Sequence, residues 1–235
     1  MYAERPPDPD LAGRVACVWH LVSETEQTQI VVPDACVDLI WGPRGLFVAG
    51  PDTGPMPTSM AVGDTFTGVR FRPGAVGDFF GVPLPELRDR RVPLSELPFP
   101  AERIEEAAPR AGARSAAMRA EVRRRLAATT GADPAGSAIT RAFREGRTVA
   151  EVAWQLGFSE RQLHRRSLAS FGYAPKTLQR IVRFQRALGL ARAGVPLAQA
   201  AVTAGYADQS HLSHDVRRLS GGSMRRLLSP AGRSA

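Results

Sequence analysis

Thr148–Phe171 reads TVAEVAWQLGFSERQLHRRSLASF. Val149, Val152, Ala153 and Leu156 recur at helical spacing, Gly157 breaks the run, and Leu163, Leu168 and Phe171 resume an apolar stripe beyond Ser159. The pattern predicts a helix, a tight turn and a second helix. Ser159 is placed to accept from the unpaired amides that open the second helix. Arg161, His164 and Arg165 fall between the apolar positions and point outward. A helix with donors on its exposed face suits the major groove of DNA. The plain alternative is an ordinary helical hairpin with a solvated basic face.

A second copy weighs against that alternative. Leu197–Leu219, LAQAAVTAGYADQSHLSHDVRRL, repeats the unit: Val152 and Ala153 correspond to Ala200 and Ala201, Gly157 and Phe158 to Gly205 and Tyr206, and Leu163 to Leu212. The last correspondence is one residue longer than the others, so the second turn gains a residue. Between the copies, Leu178, Ile181, Phe184, Leu188 and Ala191 form one helical stripe, with Gly194 placed to end it. A helix of about 18 residues spans roughly 27 Å, close to one turn of B-DNA at ~34 Å, so it can set two reading helices in successive major-groove segments.

From about residue 134 to the end, the chain resembles the DNA-binding domain of the AraC/XylS family of transcriptional regulators. The resemblance is carried by Ala153, Leu156, Gly157, Phe158 and Ser159 with Gly172–Pro175 in the first copy. In the second it is carried by Ala201, Gly205, Tyr206, Asp208, Gln209, Ser210, His211 and Leu212. It implies that Arg161, His164 and Arg165 read bases in one site and Gln209, Ser210, His211, Ser213 and His214 in the other. Arg165 is the foremost of these, because a guanidinium can grip guanine O6 and N7 together. The sequence departs from the family in two places. Gly221-Gly222-Ser223-Met224 lacks the proline of the usual closing motif, which predicts a less sharply started last helix. His214 stands where arginine is most common, and a neutral imidazole makes the weaker contact, so the second site is expected to add less affinity or to depend on pH.

Charge divides along the same line. Residues 1–100 hold 8 Arg against 13 acidic residues, net −5; residues 101–145 are net +3, and residues 146–235 net +10, for +8 in all. A basic C-terminal part beside an acidic N-terminal part argues for a polyanion-binding module joined to something that does not bind polyanions. The two cysteines make no disulfide framework, no signal segment opens the chain, and no apolar run reaches membrane-spanning length. A cytoplasmic location with no membrane contact is expected.

Upstream, residues 1–13 (MYAERPPDPDLAG) read as an arm that is either ordered on contact or loose. From Arg14 to about Pro73 short β-branched and apolar runs (VACVWHLV, QIVVP, CVDLIW, LFVAG, FTGVRF) alternate with Pro, Gly and Asp clusters, which predicts a small antiparallel sheet or barrel. Beyond Gly74 the spacing of Ala75, Val76, Phe79 and Phe80 predicts a short helix. Further helices are expected over roughly 101–108, 115–129 and 135–144, with Arg123, Arg124 and Arg125 as a solvated side. The fold class is α+β: a β-rich domain with helical connector over 1–132, then an all-α domain of two helix-turn-helix units over 133–235, divided at Gly131–Pro134. VVPDACVDLIW and GVRFRPGAV resemble the N-terminal domain of one branch of actinobacterial AraC-type regulators, and that resemblance implies sensing or association.

Asp38, Trp41, Arg70 and Arg72 are the candidate effector-binding residues. A structural ion pair between Asp38 and an arginine is the stronger reading of the same residues. Cys17 with His20, Cys36 and Asp34 or Asp38 offers zinc-ligand chemistry, but residues three apart on a strand face opposite sides, so no metal is expected. A Cys36 nucleophile with a His20 base lacks any mark of an oxyanion site. The expected function is therefore not enzymatic and needs no cofactor: a sequence-specific regulator of transcription, activator by the family's habit. Its partners would be double-stranded DNA, RNA polymerase and an unidentified small-molecule effector, and it would act as monomer or homodimer. An Ada-like repair protein needs four zinc-binding cysteines, and this chain has two. A protein-binding helical repeat is the other rival, and salt-dependent binding to duplex DNA separates it.

Overall fold

The computed structural model describes residues 1–108 and 110–229. Strands β1 (Tyr2–Arg5), β2 (Val15–Val22), β3 (Gln27–Val31), β4 (Val37–Gly42), β5 (Gly45–Ala49), β6 (Met56–Met60) and β7 (Thr65–Phe71) lead to a short helix α1 (Leu84–Leu87) and to β8 (Arg91–Pro93). Among these residues six strands form one antiparallel sheet in the order β1-β2-β7-β4-β5-β8, while β3 and β6 pair as a separate ribbon. Every residue of β4 is buried, which explains why VDLIWG does not alternate cleanly: both faces of the sheet are covered. Val18, Val69 and Leu39 align across three strands on one face, and pack with Trp41, Phe71, Phe79 and Phe80 against helical residues Ile104, Met118 and Val122. Cys17, Trp19, Leu21, Ile40, Met60 and Phe66 form a smaller core on the other face.

The helices follow as α2 (Ala101–Ala107), α3 (Arg114–Ala128), α4 (Pro134–Arg144), α5 (Val149–Gln155), α6 (Glu160–Phe171), α7 (Pro175–Arg192), α8 (Leu197–Ala204), α9 (Gln209–Ser220) and α10 (Met224–Leu228). Asp133 caps α4, its carboxylate accepting from Ala135 N at 3.0 Å, with Pro134 at the first helical position. Ile139, Phe143, Val152, Leu163, Phe171, Ile181, Phe184, Leu212 and Val216 share one continuous core. The apolar stripes of both copies and of the spacer helix therefore pack on each other. No helix among the described residues is long and apolar enough to cross a membrane.

Two local expectations are sharpened and one is corrected. Of the two readings of the arm, ordering on contact is the one found: β1 pairs along the edge of the sheet, and Asp8 and Asp10 bind Arg119 and Arg123 of α3. Arg123 and Arg124 are exposed, as a solvated side requires, but both are ion-paired, Arg124 with Glu121, while half-buried Arg125 donates to the carbonyls of Phe79 and Pro98. No helix forms over Ala75–Phe80, where turns replace it. Gly74 and Gly77 take φ of +74 and +61, and that left-handed backbone cannot enter a right-handed helix.

The β-rich part is docked on the helical part. Val32 and Ala35 belong to the same core as Ile139 and Phe184. Gln185 Nε2 donates to the Pro33 carbonyl at 2.6 Å, and Arg88 Nη1 donates to the Gly172 carbonyl at 3.2 Å. Where α4 meets the loop after β7, a Cβ placed on Gly136 would lie 2.7 Å from the Gly74 carbonyl oxygen, so only glycine allows this approach.

Candidate nucleic-acid interface

Each unit is fixed by local chemistry already present in its sequence. Thr148 Oγ1 accepts from Glu151 N at 3.3 Å while Glu151 accepts from Thr148 N at 2.7 Å; Ser159 and Gln162 repeat the arrangement at 3.2 and 2.8 Å. These are capping boxes, and they start α5 and α6 where the sequence predicts. Gly157 ends α5 with φ +67, and Gly205 ends α8 with φ +92. In the second unit Asp208 caps α9, accepting from His211 N at 2.7 Å, and Ala207 is the extra residue of the longer turn. The missing closing proline costs α10 little definition, because Ser223 caps it, accepting from Arg226 N at 3.4 Å.

Leu163 and Phe171 turn α6 inward, which leaves Arg161, His164 and Arg165 exposed together. Arg166, one position on, is held back: it lies 4.7 Å over the Phe158 ring and pairs with Asp133. Matching the caps Ser159 and Asp208 places Ser210, Ser213 and His214 at the positions of Arg161, His164 and Arg165. Ser210 and His214 are exposed; Ser213 is half-buried and donates to the Gln209 carbonyl at 2.8 Å. Gln209 and His211 are also exposed, but His211 matches the capping residue Gln162, and its ring meets Tyr206 edge-on at 5.1 Å. Of the five residues expected to read in the second unit, geometry thus equates three with the first unit's set.

Sequence reasoning found the apolar stripe of α7 and passed over its basic face. Lys176, Arg180 and Arg183 recur at four and three residues, on one helical face, and meet Arg218 of α9 across a cleft. That spacing was the available signal. Asp215 at the base of the cleft is 5% exposed and binds Arg183 at 2.8 Å and Arg180 at 3.8 Å. Arg183 also lies 4.0 Å over the Tyr206 ring, tying α7 to the second turn.

The four N-terminal candidates do not share a pocket. Asp38 and Arg70 are cross-strand neighbours with Oδ1 and Nε 3.2 Å apart, and Trp19 Nε1 donates to the same oxygen at 2.6 Å. Trp41 points to the opposite face, three residues along the strand, beneath the Arg114 guanidinium at 4.8 Å. Arg72 lies just past β7 and donates to the Ala12 carbonyl at 2.8 Å. Burial pushes the Asp38 carboxyl up, while the adjoining carboxylate makes the Arg70 guanidinium hold its proton more firmly. Asp34 and Glu4 stand 3.8 Å from Arg70, and Asp34 also accepts from Cys36 N at 2.8 Å in a local turn. Burial pushes the Cys17 thiol up to about 11 and the Cys36 thiol well above its usual value, the reverse of what a nucleophile or metal ligand requires. His20 is exposed and Cys17 buried, as opposite faces demand. Among the described residues no group of three or more His, Cys, Asp or Glu is placed to hold a metal ion.

Residues 152–229 match the family model described as a helix-turn-helix domain, and residues 3–93 match a domain of unknown function. No curated protein matches the chain. Among solved structures, a probable AraC family transcriptional regulator from Rhodopseudomonas palustris is 24% identical over 40% of this chain and 91% of its own, with a TM-score of 0.34. An apo variant of ToxT from Vibrio cholerae is 12% identical over 95% of this chain and 98% of its own, with a TM-score of 0.50, a likeness of overall fold. The helix-turn-helix match, with twin units on one spacer helix, makes residues 152–229 a helix-turn-helix domain of the AraC type, and residues 3–93 belong to a domain family of unassigned function.

Proposed function

We propose that the protein is a sequence-specific DNA-binding regulator whose α6 and α9 read successive major-groove segments. The observation that carries the reading is the exposed trio Arg161, His164 and Arg165, set on a capped helix and repeated in register by Ser210, Ser213 and His214 at the far end of an 18-residue helix. Residues 133–235 would form the reading domain and residues 1–132 the sensing or association domain. The first unit carries two arginines and the second none at the matched positions, so most base discrimination is assigned to α6.

Arg165→Ala tests this directly. Against a target selected from random duplexes, it is expected to lose about 1 to 3 kcal/mol of discrimination and to relax preference at one position. Unchanged preference at fixed salt would remove Arg165 from the reading set.

Activation rather than repression rests on the resemblance, and it requires a surface for RNA polymerase. Trp154 and Val202 occupy the same position in α5 and α8 and are 85% and 66% exposed, which makes them the surface to probe in a transcription assay. An effector on the N-terminal domain would have to use the Asp38–Arg70 pair without Trp41 or Arg72. One chain already supplies two reading helices, so both a monomer and a homodimer accord with this reading.

A further inference from the structure

The cleft between α7 and α9 has a volume of about 330 Å³. Lys176, Arg180 and Arg183 line one wall; His211, His214 and Arg218 line the other, with Asp215 at the base. Four cations against one carboxylate leave the cleft at +3 before either histidine is protonated. Asp215 fixes Arg183 firmly and Arg180 loosely, at 2.8 and 3.8 Å. Lys176 reaches only the Gln179 side-chain oxygen, at 3.2 Å, and Arg218 is exposed with no acidic partner among the described residues. Such an excess of cationic donors is unfavourable by itself, since like charges repel, and it is relieved by a bound anion.

The position of the cleft says which anion. His214, at the register of Arg165, forms part of its wall, so the cleft flanks the reading face of α9 instead of lying behind the helix. A helix seated in the major groove has a phosphate backbone along each flank. The geometry points to the α7–α9 cleft as the seat of a DNA backbone phosphodiester, gripped by Lys176 and Arg218 with Arg180 as third donor. The assignment rests on the DNA-reading function proposed above and deepens it. The second unit, poor in base-reading arginine, holds DNA chiefly by backbone charge and so sets register more than sequence. The spacer helix is then a DNA contact in its own right.

The test uses the full chain and two duplexes, a selected target and a random sequence, with affinity measured by fluorescence anisotropy over a range of salt. Replacing Lys176→Gln together with Arg218→Gln is expected to lower the slope of log affinity against log salt by about one, the value of a single neutralised phosphate. Target and random duplex should weaken by the same factor, leaving their ratio unchanged. Lys176→Arg with Arg218→Lys should keep the wild-type slope, which separates lost charge from damaged structure. An unaltered slope in the glutamine pair, with wild type still discriminating, would overturn the seat alone and leave the reading function standing. A changed target-to-random ratio in that pair would overturn it too, because the cleft would then touch bases. A wild-type protein that discriminates between no duplexes would overturn both.

Discussion

Arg70, itself half-buried, shows how much the buried charge of Asp38 depends on its surroundings. Its guanidinium pairs with Asp38 inside a sheet covered on both faces, beside Trp19, whose indole occupies the space that a side chain at 68 would need. Removing one member of such a pair leaves the other charge buried and unpaired. Arg70→Met is therefore expected to cost about 3 to 5 kcal/mol in urea unfolding. A cost below about 1 kcal/mol would mean that water reaches Asp38. Tyr173 presents the opposite case. Its ring lies in the core that Val32 and Ala35 share with the helical units, but its hydroxyl finds no hydrogen-bond partner among the described residues. Tyr173→Phe removes an unpaired buried donor and keeps the packing, so it should be neutral or stabilise by up to about 1 kcal/mol in the same assay.

At the scale of elements, the helix starts are written in the sequence and the attachments are not. Ser159→Ala should cost about 1 kcal/mol, because it removes one half of a reciprocal cap and orphans the amide of Gln162. The N-terminal arm has no such local signature. MYAERPPDPDLAG leaves open whether the arm is loose or ordered on contact, because its anchors, Arg119 and Arg123, lie more than a hundred residues away. Hydrogen bonds from Arg123 hold the carboxyls of Asp8 and Asp10 below the usual carboxylate range. A lowered carboxylate value contributes attachment above the unfolded value and loses it as pH falls through the folded one. Amide protection over Leu11–Val15, taken against the intrinsic exchange rate at each pH, should accordingly fall in acid, and fall already at neutral pH in Arg123→Ala. Protection that ignores both changes would show that the arm is held by its strand alone.

At the scale of the molecule, the two domains meet through glycines that leave no room for a side chain. Gly136→Ala brings a methyl against the Gly74 carbonyl, and overpacking of this kind is expected to cost about 1 to 3 kcal/mol. The damage falls on the seam, so the isolated helical units should keep their structure while the coupling between domains loosens. Calorimetry should show one transition for wild type and a broadened or split one for the variant. A single transition at the wild-type temperature would mean that the seam yields without cost.

The sequence by itself determined the twin units, because everything that defines them is local: helical stripes, Ser159 as a cap, Gly157 and Gly205 as stops, and a repeat that makes chance an unattractive account. It also determined the β-rich character of the first part, through short β-branched runs between turn residues. Only the tertiary structure decided which polar residues meet. Asp38 and Arg70 became cross-strand partners while Trp41 and Arg72 went elsewhere, because strand register, unlike strand character, is set by pairings between distant segments. The basic cleft belongs to the same class. Lys176 and Arg218 are 42 positions apart, each unremarkable on its own helix, and they become one site only because the apolar faces of α7 and α9 pack on a common core.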